Sequence, residues 1–212
     1  VTITRALLHG ETLTYTGKAF SVDGVRLDFT PRRGNVPILT AAMGAQALRL
    51  CGEVADGVII SNLVPTAFTR RAVAIIHEAA TRMNRHAPRE VVQYVPGVVR
   101  DDGAEARRLA KRSVAAMLAA YTQTASAATR AAMSEYGRPE DFARAMSRLT
   151  RGEAPEDAID DRLLSEYAIA GTPEECLAQA AVYAEAGVTE LAIAPIGEHP
   201  ADDIARLGSA IK

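Results

Sequence analysis

Residues 35–62, NVPILTAAMGAQALRLCGEVADGVIISN, restrict the fold more than any other stretch, because they read as strand, turn, helix and strand in direct succession. Residues 36–42 are almost wholly apolar, which is the pattern of a parallel strand covered on both faces. Met43 and Gly44 turn the chain, and from Ala45 onward Ala47, Leu48, Leu50, Cys51 and Val54 recur at helical spacing. The helix stops at Asp56 and Gly57, and Val58, Ile59 and Ile60 form a short β-branched run. The result is a βαβ unit. Free backbone N–H groups at Gly44, Ala45 and Gln46 would then sit at the positive end of the helix, where an anion the size of a phosphate is favoured. A glycine that serves only tight strand-to-helix packing would leave the same mark.

The rest of the chain extends the alternation. Residues 12–16 and 25–28 alternate well enough for a small hairpin across residues 17–24. A helix capped by Thr66 runs to about Asn84, and residues 91–99 are a third apolar strand in which Pro96 and Gly97 point to a bulge. Asp102 or Gly103 opens a long helix, and helical patterns continue over 127–136, 139–150 and 160–168. So long a connection between two strands is a helical insertion, about residues 104–168. Thr172, Pro173, Glu174 and Glu175 form a strong helix start. The last strand falls at 190–195 and the closing helix at 201–211. Four parallel strands, near 36–42, 58–61, 91–99 and 190–195, are therefore expected as neighbours in one wall.

Three groups of residues carry a resemblance to the bacterial-luciferase-like superfamily of flavin- and deazaflavin-dependent oxidoreductases. The first is Pro37, Ile38, Ala41, Ala42, Gly44, Leu48, Gly52, Ala55, Asp56 and Gly57, which fits the pattern P-[IV]-x-x-A-A-x-G-x-x-x-L-x-x-A-G-x-x-A-D-G with Cys51 in place of alanine. The second is AGTPEE at 170–175, and the third is AGVTEL at 186–191. Residues 7–11 and 17–20 resemble the helix end and hairpin that precede these segments, so the resemblance spans the chain. It implies an α/β fold, a (β/α)8 TIM barrel of the luciferase-like type. Such a barrel takes about 250 residues, whereas this chain has 212. By the resemblance, residues 1–9 are the tail of the helix after the fourth barrel strand. The expectation is a single domain over 1–212, a partial barrel holding the second half and the insertion, with the N-terminal half absent from this chain. Such a half would expose unpaired strand edges.

The resemblance also implies a site at the C-terminal ends of the strands. Ala42, Met43, Gly44 and Ala45 would hold the cofactor phosphate, with Ser61 and Asn62 near the same tail. Met43 stands where the family often has a second glycine or a serine. Coenzyme F420 is favoured as cofactor, with FMN as the alternative. The activity implied is hydride transfer to, or oxygenation of, a small organic substrate, and a homodimer is expected. A catalytically silent flavin-binding relative or partner subunit is the alternative of another class. No general acid or base is assigned by the pattern, and His199 at a strand mouth is the one candidate. Glu53 and Asp56 lie at the opposite end of the strands and read as structural. A phosphate-binding isomerase or aldolase finds no lysine or carboxylate pair at a strand end.

Composition excludes other classes. With a formal net charge of −2, 5% aromatic residues and dispersed Arg and Lys, there is no basic stripe for nucleic acid. No apolar run reaches the roughly 20 residues of a membrane span, and a cytoplasmic protein is expected. Cys51 and Cys176 sit in apolar helical patterns, and His9, His77, His86 and His199 lack ligand spacing, so no metal site is expected.

Overall fold

The computed structural model describes residues 1–33, 35–197 and 199–211. Helix α1 (Thr2–Leu8) leads into an antiparallel hairpin, β1 (Leu13–Thr16) and β2 (Ser21–Val25). Five parallel strands follow: β3 (Leu39–Ala41), β4 (Gly57–Ile60), β5 (Glu90–Val99), β6 (Ile169–Gly171) and β7 (Glu190–Pro195). Between them run α2 (Ala45–Val54), α3 (Thr66–Arg82) and α4 (Gly103–Thr124). The insertion continues with α5 (Ala127–Ser134), α6 (Pro139–Thr150), α7 (Pro155–Ala158) and α8 (Asp161–Leu164). Helices α9 (Pro173–Glu185) and α10 (Pro200–Ala210) flank β7. Among the described residues no helix is long and apolar enough to cross a membrane.

Strand β5 organises the sheet. It pairs with β4 through residues 90–93, with β7 through 92–97 and with β6 through 97–99. Because the β7 ladder overlaps both others, β4 and β6 share one edge of β5 and β7 takes the other. The carbonyls of Val91 and Gly97 accept from Thr189 and Ile196 on the β7 side, whereas the Arg100 amide donates to Gly171 of β6. Polar groups alternate sides along a strand, so Pro96 turns its missing N–H toward the gap between the end of β4 and the start of β6. A proline is tolerated there because no ladder bond is due. The bulge expected at Pro96 and Gly97 is absent, and the register with β7 runs unbroken from Val92 to Gly97.

The odd-numbered residues of β5 face the helices. Val91 and Val95 are buried with Val58 and Ile60 of β4. Gln93 shares that side and is satisfied, accepting from Thr69 Oγ1 at 2.7 Å and donating to the Val64 carbonyl at 3.3 Å. Helices α2 and α3 pack closely because residue 52 is glycine: a Cβ there would overlap the Ile76 carbonyl oxygen and lie 2.9 Å from Ala79 Cβ. The opposite face of the sheet, with Ala41, Tyr94 and Ala194, is exposed.

The insertion is anchored by aromatic residues. Tyr136 meets Phe68 edge-on at 5.3 Å, Phe142 packs against Tyr167 at 5.9 Å, and Tyr167 Oη donates to the Met133 carbonyl at 2.7 Å. Asp102 caps α4, and Thr172 with Glu175 forms a reciprocal capping box on α9, as their spacing predicts.

Several boundaries move for physical reasons. Strand β3 begins at Leu39, not residue 36, because Ile38 bonds Asp56 instead of a strand: its N–H donates to Oδ2 at 2.9 Å and its carbonyl accepts the Asp56 N–H. That carboxylate is also paired with Arg5 at 2.9 Å. Burial alone would raise its pKa, but Arg5, the Ile38 N–H and Arg85 together hold it below the ordinary value. The second hairpin strand is Ser21–Val25, earlier than the expected 25–28, because Gly17 closes a tight turn onto the Phe20 carbonyl. Pro65, not Thr66, is the N-cap of α3. The helix expected over 160–168 is one turn, α8, capped by Asp160, after which Tyr167, Ala168 and Ile169 enter the core and form the unforeseen β6.

Replacing Gly52 with Ala should cost about 1–3 kcal/mol through overpacking. Gly208→Ala in α10, where nothing stands within 4 Å, should instead stabilise by about 0.5–1 kcal/mol. Urea unfolding of both variants beside the parent chain measures the two effects.

Candidate active site

The C-terminal end of β3 delivers the chain into a helix start with open donors. Ala42 is buried, Met43 packs half-buried against the core, and Gly44 is the N-cap of α2. The Gly44 carbonyl takes the first helical bond, from Leu48 at 2.9 Å. The amides of Ala45, Gln46 and Ala47 have no intrahelical acceptor by construction. No side chain caps the helix, no acidic residue lies in its first turn, and all three residues are exposed. These donors and the helix dipole favour an anion.

Gly44 is not required by its backbone, since φ −81° and ψ 149° suit any residue. The insertion comes close to it: a Cβ at Gly44 would sit in ordinary contact, 3.5 Å from Ala128 Cβ. Ala128 is the second residue of α5, whose N-cap Ser126 accepts from the Thr129 amide at 3.2 Å. The insertion thus brings a second helix N-terminus against the same turn.

Pairing of Ala41 with Ile59 places the mouth of β4 beside that of β3, one strand spacing of about 4.8 Å away. Ser61 and Asn62 are half-buried there, with the Ser61 hydroxyl bonded to Asn62 Oδ1 at 3.3 Å. Their loop is fixed from below. Leu63 is fully buried at φ 56°, a conformation costing about 1–2 kcal/mol for a side chain of this kind. The Gln93 bond to the next carbonyl, Val64, holds it.

The six residues expected to hold a phosphate, Ala42, Met43, Gly44, Ala45, Ser61 and Asn62, therefore lie at two adjacent strand ends. His199 does not join them. It is the exposed N-cap of α10, past the end of β7, three strand spacings or about 14 Å around the wall from β3. Glu198 beside it lies outside the described residues. Sequence reasoning missed two supports of this rim, the Gln93–Thr69 bond and a buried pair between Arg100 and Asp203. A lone glutamine in the apolar run VVQYV was the one available signal for the first.

Both cysteines are core residues, fully buried. Burial raises the Cys51 thiol, against a smaller opposing effect of Thr40 and Arg85, and burial with Glu175 and Asp203 pushes Cys176 up to about 11. Neither is a ready nucleophile. Among the described residues no group of His, Cys, Asp and Glu could hold a metal.

With the parallel β/α sheet, the open helix start at its rim and the helical insertion described, the sequence can be placed: the family model of the luciferase-like monooxygenases matches residues 1–190, and the chain belongs to that family. It is 28% identical over 219 residues to the 5,10-methylenetetrahydromethanopterin reductase of Archaeoglobus fulgidus, covering 100% of this chain and 63% of that protein. In fold it is similar to the coenzyme F420-dependent tetrahydromethanopterin reductase of Methanopyrus kandleri, with a TM-score of 0.75, 22% identity, and 98% of this chain and 59% of that one covered. The FMN complex of the oxygenating constituent of 3,6-diketocamphane monooxygenase from Pseudomonas putida aligns at TM-score 0.60 and 16% identity, over 97% and 56% of the two chains. The chain thus spans about three-fifths of the length of the two methanopterin reductases.

Gly44→Ala should fold with a melting temperature within about 2 °C of the parent, because an ordinary van der Waals contact awaits the methyl group. Thermal melts followed by circular dichroism check this.

Proposed function

We propose that the chain is the phosphate-holding half of an oxidoreductase that uses reduced coenzyme F420 to transfer a hydride to a small organic substrate, with FMN as the alternative cofactor. In this reading β3, β4, β5 and β7 are four consecutive staves of a (β/α)8 barrel, and the working protein is a homodimer. The observation that carries the reading is the exposed, uncapped start of α2 beside Ser61 and Asn62, in a chain of this family. The relatives named for F420 add weight.

The residues present fit a phosphate. The N–H groups of Ala45 and Gln46 donate to it, the small Ala42 and Gly44 let it approach the backbone, and no nearby first-turn carboxylate repels it. Ser61 and Asn62 offer hydroxyl and amide groups to the adjoining chain of hydroxyls. When bound, the deazaflavin or flavin ring supplies the hydride chemistry. The protein positions the tail at the β3 and β4 mouths, and α5 excludes water from one side of the turn. His199 at the β7 mouth holds or moves a proton on the substrate side.

Two outcomes test this. Residues 1–212 expressed alone should neither remain monomeric nor bind F420 at micromolar strength, because the exposed sheet face and edges need a complement. Size-exclusion chromatography and F420 fluorescence titration read this out, and a well-behaved monomer binding F420 at micromolar strength refutes the half-barrel reading. In a protein where the barrel is complete, Gly44→Glu should weaken F420 and FMN by at least about tenfold, or 1.4 kcal/mol, through bulk and like charge. Unchanged affinities would exclude the turn as the phosphate site.

A further inference from the structure

At the other end of the rim, a buried ion pair joins four elements at one point. Arg100 and Asp203 are 8% and 3% exposed. The Arg100 Nη1 donates to the Val99 carbonyl at 2.7 Å and to Asp203 Oδ1, and the same carboxylate oxygen accepts the Val99 amide at 2.9 Å. The Arg100 amide donates to Gly171 of β6 at 3.1 Å. Above the pair runs the exit of β7, and residue 197 is a glycine where a Cβ would come within 2.9 Å of both Arg100 Nη2 and Asp203 Oδ2 and force the pair to shift. The exit is held further by Ile196 N–H to the Gly97 carbonyl at 3.0 Å and by Ser113 Oγ to the Ile196 carbonyl at 3.2 Å. Asp203 closes the path, since its own amide donates to the His199 carbonyl at 3.2 Å.

We propose that Arg100 and Asp203 are positioning residues that set where His199 stands at the mouth of β7. The path runs from the guanidinium to the Asp203 carboxylate, and through the Asp203 amide to His199 itself. The pair is net neutral and almost sealed from water, so it acts by fixed geometry rather than by charge at the mouth. Breaking it leaves a buried, uncompensated partner, and the cheapest relief is movement of the Gly197 segment that covers it. Importance for chemistry rests on the proposed role of His199; the positioning itself does not.

The test reads the imidazoles directly in the 212-residue chain, in the self-associated form expected of it and without cofactor. Histidines labelled with carbon-13 at Cε1 give four resonances, for His9, His77, His86 and His199, assigned by His199→Gln. Arg100→Gln, Asp203→Asn and Gly197→Ala should each shift or split the His199 resonance while the other three stay in place. Arg100→Lys, which keeps the charge and loses the planar fork, should displace it less than Arg100→Gln. An unmoved His199 resonance in variants whose other histidines are native overturns the proposal. So does collapse of all four resonances to unfolded positions in Arg100→Lys and Gly197→Ala, which would make the pair a support of the whole fold. Should Arg100→Gln or Asp203→Asn unfold, those two milder variants decide. Failure to bind F420 would count against the proposed function and leave this result untouched.

Discussion

Nearly every long-range feature of this chain depends on the use of both edges of β5. Its ten residues serve β4 low on one edge, β6 high on the same edge and β7 along the other. A strand so placed is buried along most of its length, and its sequence is correspondingly apolar. The two partners on one edge leave a short unpaired stretch, and the one proline in the strand occupies it. Hydrogen bonding thus dictates where an otherwise disruptive residue is harmless.

The candidate site inherits its order from the same strand. Gln93 reaches out of β5 to hold the loop after β4, and Arg100 at its end holds the loop after β7 through Asp203. Neither residue lies at the turn proposed to bind phosphate. They show how a parallel sheet can present irregular loops at its rim without letting them wander: a buried, hydrogen-bonded polar side chain specifies one loop conformation where apolar packing would allow several. Leu63 illustrates the cost, since its left-handed backbone persists only under such restraint.

The sequence disclosed most of the β/α alternation because covered parallel strands and amphipathic helices leave strong periodic marks, as in residues 35–62 and 91–99. Caps with a specific chemistry, Asp102 and Thr172 with Glu175, were equally legible. What stayed hidden depended on distant partners. Strand β6 is three residues long and exists because the upper edge of β5 is free, which no local pattern announces. The start of β3 was misplaced because Asp56, eighteen positions away, captures Ile38. At the site, the turn at Gly44 was visible as a helix start, but its closeness to Ala128 follows from the path of the insertion. Asp203 shares the first turn of α10 with Asp202, and only the fold reveals that it faces inward.

The position of β6 has a further consequence. The long segment containing α4 to α8 leaves β5 at its end and returns to the same edge, so that its two ends are tied by the Arg100 amide and the Gly171 carbonyl at 3.1 Å. A segment whose ends already touch adds little strain to its host whatever its length, because loop-closure cost grows only slowly with the number of residues. Helix α4 stays bound to the sheet through Ala106, Ala110, Val114 and Leu118 in the core, so length can change between α5 and α8 at little cost to the register beneath, and the surface facing the Gly44 turn can change without the turn itself being rebuilt.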